Sequence, residues 1–141
     1  MSARAFWRYW LPAIVWAAVI FAGSTELLSA EETGRALAVV VKAVIGHPLP
    51  PSQFSLLHFA VRKAGHVLEY AILGSLLFHA IRGEREGWNW RWAVGAIAIA
   101  ALYAASDEWH QSFVPSRTPS VIDVLIDATG ATLAQVLFFR T

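Results

Sequence analysis

From Tyr9 to Thr25 the chain carries no charged residue, and three further apolar stretches of similar reach follow it. A helix that crosses the ~30 Å hydrocarbon layer of a membrane needs about 20 mostly apolar residues. Few folds other than a membrane bundle can use four such stretches in 141 residues. Composition agrees. The chain is 57% hydrophobic and 15% charged, whereas soluble domains average roughly 45–50% and 25%. One small domain cannot hide that excess from water, so the surplus faces lipid. Residues 1–141 therefore read as a single all-α membrane domain of about four spanning helices.

The first span follows Arg4 and Arg8. A basic start before an apolar run also describes a signal peptide, but this run is long for one and no Ala-x-Ala-like site follows closely. With the span starting near Tyr9, Pro12 falls in the first turn, where no donor is needed. The second span is predicted over Arg62–Ile81, the third over Trp90–Gln111 and the fourth over Pro119–Phe139. Between the first two lies a mixed connection, Glu26–Lys63. Within it, Thr33–Ile45 has the pattern of a short interfacial helix, ended by Gly46 and the prolines at 48, 50 and 51. Trp7, Trp10, Trp88, Trp90, Trp92 and Trp109 fall near predicted helix ends, where indole rings settle in membranes.

Arg82, Arg85 and Arg91 crowd the short connection between the second and third spans. Together with Arg4, Arg8 and Arg140 they predict that both termini and this connection are cytoplasmic. The formal charge of +1 and the scattered basic residues give no support to nucleic-acid binding. With no cysteine in the chain, disulfides, thiolate metal sites and cysteine nucleophiles are excluded.

The third span holds the main difficulty. Its uncharged run, Trp92–Ser106, covers only about 22 Å at 1.5 Å per residue. Either the helix sits in a thinned membrane, or Asp107, Glu108 and His110 lie within it. The second span brings His66 and Glu69, and the fourth brings Asp123 and Asp127. Charges at such depth are costly, face the bundle interior and mark function. Spacing supports one cluster: Lys63, His66 and Tyr70 share a stripe with Arg62 and Glu69 beside it, and Asp107, His110 and Gln111 repeat the steps of three and four. Asp123 and Asp127 share a face with Gly130 and Ala134, where another helix can come close. A similar seam of small residues is expected at Gly95, Ala98, Ala101 and Ala105. Under the predicted topology the cluster lies at the extracytoplasmic side.

These segments, RKAGHVLEYAILG, YAASDEWHQSFVPSRTPSVIDVLID and ATG, resemble the VanZ-like family of bacterial membrane proteins. The resemblance runs from about Val61 to Ala134, roughly half the chain, and every position of the family's pattern is filled here. It implies a multi-pass envelope protein; the family takes its name from a member linked to teicoplanin resistance. It implies no mechanism.

Read as chemistry, His66, Glu69, Asp107, His110 and Asp123 are the candidate acid–base groups, with His66 and Glu69 the preferred pair. Arg62, Lys63, Tyr70, Gln111 and Arg117 are candidates for binding a phosphate-bearing ligand, since arginine grips phosphate bidentately and lysine acts as a point charge. Arg117 also suits pairing with Asp107 or Asp123. The acidic residues outnumber Arg62, Lys63 and Arg117 by two. Such an excess calls for protonation, a cationic ligand or a bound divalent ion held by Glu69, Asp107, Glu108, Asp123 or Asp127. No histidine pair has the spacing of a known zinc motif. His47, His58 and His79 draw little weight, Ser24 and Ser29 read as loop residues, and Ser106 lacks a placed base. The expected function is an outward-facing pocket that binds or modifies an envelope lipid or lipid-linked intermediate. The rivals are a small proton-coupled transporter and a non-catalytic scaffold.

Overall fold

A computed structural model describes residues 3–25, 30–115 and 119–139, and among these every regular element is a helix. They are α1 (Ala3–Gly23), α2 (Ala30–Ile45), α3 (Pro51–Arg82), α4 (Trp90–Gln111) and α5 (Val121–Phe139). α1, α3 and α5 are long and apolar enough to cross a membrane. α4 has the length, 22 residues or about 33 Å, but its alanines and its acidic end dilute its apolarity. The four expected spans are therefore three by length and composition.

Several boundaries differ from the sequence reading. α1 begins at Ala3, so Pro12 sits inside the helix, not in its first turn. There it withholds one i→i−4 hydrogen bond. α2 begins three residues before Thr33. Glu31 and Glu32 in its first turn and Lys42 in its last complement the helix dipole, and Gly46 closes it at φ 85°. The largest correction concerns α3, which starts at Pro51 and runs for 32 residues, about 48 Å. Proline is favoured at the first helical position because its missing N–H is not needed there. The proline cluster thus starts a helix, and residues 52–61, read as loop, contain no breaker to stop it. α3 ends at Gly83, with φ 60°.

α3 and α5 form the tightest pair. A Cβ at Gly130 would stand 2.3 Å from the Val67 carbonyl oxygen, and one at Gly74 would stand 2.9 Å from the Ala131 Cα. Small residues at both contacts let the backbones touch, the usual way helices associate where solvent gives no hydrophobic drive. α4 closes the group through Ala93, Ala96, Ala100 and Ala104, all buried. The expected seam is thereby corrected: Ala98 and Ala105 are exposed. In a helix with alanine at nearly every other position, residue size does not mark the inner face. The shared core is Tyr70, Leu73, Leu77 and Phe78, with Phe78 stacked on Phe138 at 5.2 Å.

α1 lies along α3, with no comparable packing on α4. α2 touches α3 and buries only Val41, leaving Val39, Val40 and Val44 exposed, as suits a helix at a membrane surface. The start of α1, the end of α5 and the α3–α4 connection share one end of the bundle. The polar residues gather at the other.

The glycine contacts yield a direct test. Gly130→Ala is expected to lower stability by about 1–3 kcal/mol, since the clash is with backbone. Leu133→Phe on the exposed face should stay within ~0.5 kcal/mol. Denaturant unfolding in detergent micelles reads both.

Candidate functional site

The close approach of α3 and α5 places an ion pair and a histidine–carboxylate hydrogen bond across it. Lys63 Nζ pairs with Asp123. One turn deeper, His66 Nδ1 donates to Asp127 Oδ1 at 3.0 Å. Because an ionised carboxylate only accepts, this bond places a proton on Nδ1. Asp127 is 2% exposed. The hydrogen bond to His66 thus comes from α5, and the preferred partner on the sequence, Glu69, lies nearby in the wall of the same cavity.

α4 contributes the second half. Asp107, 5% exposed, accepts at Oδ2 from Ser24 Oγ at 2.6 Å and from Gln111 Nε2 at 2.9 Å. Glu108, 7% exposed, accepts from the Ser120 backbone N–H at 2.6 Å, which ties the end of α4 to the start of α5. His110 packs against Phe21, ring centroids 4.5 Å apart. The Tyr70 hydroxyl, Asp107 Oδ1 and His110 Nδ1 are buried and have no hydrogen-bond partner among the described residues.

Two cavities open at this end. The larger, about 430 Å³, is lined by Phe54, His58, Phe59, Arg62, Lys63, His66, Gln111 and Asp123, among others. The smaller, about 180 Å³, lies between Ser24, Thr33, Arg62, His66, Glu69, Tyr70, Asp107 and Gln111. Arg62, His66 and Gln111 belong to both. Lys63 is already engaged by Asp123, whereas Arg62 makes no ion pair or hydrogen bond among the described residues. A half-buried guanidinium in that state is a ready anion site.

A family model described as VanZ/LLP1 matches residues 7–140. The chain belongs to the VanZ family. No curated protein and no solved structure matches it. The family match reaches well beyond the motif-bearing half, so α1 is part of the VanZ unit as well. Within that unit the structure brings together Arg62, Lys63, His66, Glu69, Tyr70, Asp107, Gln111, Asp123 and Asp127. His110 stands at the edge, turned to Phe21. Arg117 lies outside the described residues.

Among the described residues, no group of three or more histidine and acidic side chains is placed to hold a metal ion. The carboxylates are instead spread over separate partners: Asp123 on lysine, Asp127 on histidine, Asp107 on serine and glutamine, Glu108 on a backbone amide. Much of the acidic excess is thus met one group at a time.

Two participants escaped the sequence. Ser24, read as a loop residue, is the donor that links α1 to Asp107. His58, set aside with the connection, hydrogen-bonds Thr33 of α2 at 3.1 Å and lines the larger cavity. The spacing 58, 62, 66 is one helical stripe, visible once α3 is extended to its true start.

Ser24→Ala removes a donor from a buried carboxylate and a link between α1 and α4. A loss of about 1–3 kcal/mol is expected, with no measurable loss for Ser106→Ala, whose hydroxyl is exposed and bonds only within its own helix. Urea titrations of both variants in micelles make the comparison.

Proposed function

We propose that this VanZ-family protein binds the phosphate-bearing headgroup of an envelope lipid or lipid-linked intermediate in the cavity at the polar end of the bundle. The observation that carries the reading is Arg62: a half-buried guanidinium shared by two cavities and engaged by no acidic side chain among the described residues. Guanidinium takes phosphate oxygens in pairs. Lys63, itself neutralised by Asp123, adds little net attraction. The larger cavity, about 430 Å³, is in the range of small-ligand sites, roughly 300–1,000 Å³. Its wall includes Phe54 and Phe59, so one site offers cation and apolar surface together, as an amphiphile requires.

His66 is the group placed to exchange a proton with such a ligand. Asp127 holds its ring from behind, and Nε2 is left for the cavity side. Gln111 and Asp107 support the opposite wall. The basic residues at the other end, Arg82 and Arg85 beside Tyr9, favour a cytoplasmic position for the termini, and the cavity then opens at the outer face of the inner membrane. Any influence on glycopeptide (teicoplanin) susceptibility would follow from the lipid-linked wall intermediates handled there.

Two experiments test this. Purified protein in nanodiscs is expected to bind a lipid-linked pyrophosphate, and Arg62→Gln should weaken binding by about 1.5–3 kcal/mol, the usual worth of a hydrogen bond to a charged group. Equal affinity of wild type and variant, read by microscale thermophoresis, would refute the role of Arg62. Because the chain has no cysteine, single cysteines report orientation cleanly. Ser55→Cys should react with an impermeant maleimide on intact spheroplasts, and Glu84→Cys only after lysis.

A further inference from the structure

Below the smaller polar cavity lies an apolar groove that shares none of its lining residues. The groove, of about 190 Å³, is lined by Trp10, Ala13, Ile14, Ala17, Leu73, Leu77, Ile99 and Tyr103 and carries no polar surface. It uses the same three helices as the smaller cavity, one turn deeper on each. On α1 the wall passes from Ile20 to Ala17, on α3 from Tyr70 to Leu73, and on α4 from Asp107 to Tyr103. The steps of three and four keep each helix's lining on one face.

The groove exists because α1 packs on α3 and not comparably on α4. Side chains bridge the gap between α1 and α4. Tyr103 donates to the Ala17 carbonyl at 2.6 Å, and Ser24 donates to Asp107 nearer the polar end. The rings of Tyr103 and Tyr70, 6.5 Å apart, stand where apolar wall gives way to polar. The Tyr70 hydroxyl there is buried, 1% exposed, and has no partner among the described residues.

We infer that the ligand of the polar cavity carries a hydrocarbon tail and enters sideways from the bilayer between α1 and α4, its tail lying in this groove. The inference rests on the headgroup reading above and adds the tail, the route and the helices that form it. A soluble phosphate would have no use for an apolar groove one turn from its site. A membrane-bound tail gains no free energy by leaving lipid for an equally apolar wall, so the groove guides the ligand and does not hold it. Position, not affinity, is the observable.

The test uses an alkyl phosphate with a diazirine at its tail end, in nanodiscs of zwitterionic lipid holding the full chain. Photolabel mapped by mass spectrometry is expected mainly on Trp10–Ala17 and Ile99–Tyr103, and to fall to background in Arg62→Gln. Ala17→Trp, which fills the groove, should shift the label away while Arg62-dependent headgroup binding persists. Ile14→Trp, at the more exposed rim, serves the same purpose if Ala17→Trp does not fold. Label that depends on Arg62 but falls on the outward face of α5, at Leu133 and Leu137, overturns the groove and spares the headgroup site. Groove label indifferent to Arg62 shows ordinary lipid and overturns the joint site. Label spread evenly and indifferent to Arg62 removes both readings.

Discussion

The polar end of this bundle depends on how closely α3 and α5 approach. At Gly74 and Gly130 the two backbones meet with no room for a side chain. That contact sets the spacing one to two turns away, where His66 and Asp127 hydrogen-bond and Lys63 and Asp123 pair. A buried carboxylate without a partner is costly in any low-dielectric setting. Wider spacing would leave Asp127 in that state. Glycine at position 130 therefore acts at a distance on the His66–Asp127 contact, through the registration of two helices.

The second constraint comes from α4. Its buried side begins with alanines and ends with Asp107, Glu108 and Gln111. The alanines draw α4 in close, and the acidic end is then secured from three directions: by Ser24 just past α1, by Gln111 one turn on, and by the amide of Ser120 ahead of α5. The same bonds that satisfy the acids join the helix ends to one another. Stability and site are built from one set of interactions, so a single substitution there disturbs both.

Much of this was legible in the sequence. Charged residues at the edge of apolar runs announced the cluster, and the three- and four-residue steps put Arg62, His66, Tyr70, Asp107 and Gln111 on facing stripes. The Asp127–Gly130–Ala134 face read correctly because acid and small residues coincide only on an inner surface. What stayed hidden had physical causes. Proline can open a helix as well as break one, so the first turns of α3, with His58, were mistaken for loop. Ser24 meets Asp107 across 83 positions of sequence, and no local pattern signals such a contact. His66 is equally well spaced for Glu69 on its own helix as for a residue opposite, and only packing selects Asp127 as its hydrogen-bond partner. On α4, alanines on several faces made the buried one unreadable from size.

The distribution of polarity along the bundle bears on what kind of work the site does. A proton or ion route needs titratable or polar groups that continue to the far side. Beyond Asp127, Tyr70 and Asp107, the described interior passes through Leu73, Leu77, Phe78, Ala100, Ala131 and Ala134. Gln135 is the one buried amide in that stretch, and its Nε2 is spent on the Gly74 and Ala131 carbonyls. The first of those bonds joins α5 to α3 and the second lies within α5, while the buried Gln135 Oε1 has no partner among the described residues. A transporter would have to build a path through this apolar half. A site that reads a headgroup at one interface needs no such path, and it benefits from an apolar floor that keeps charge from going deeper. Under the proposed reading, the apolar residues below Asp127, Tyr70 and Asp107 confine the polar chemistry to one end of the bundle.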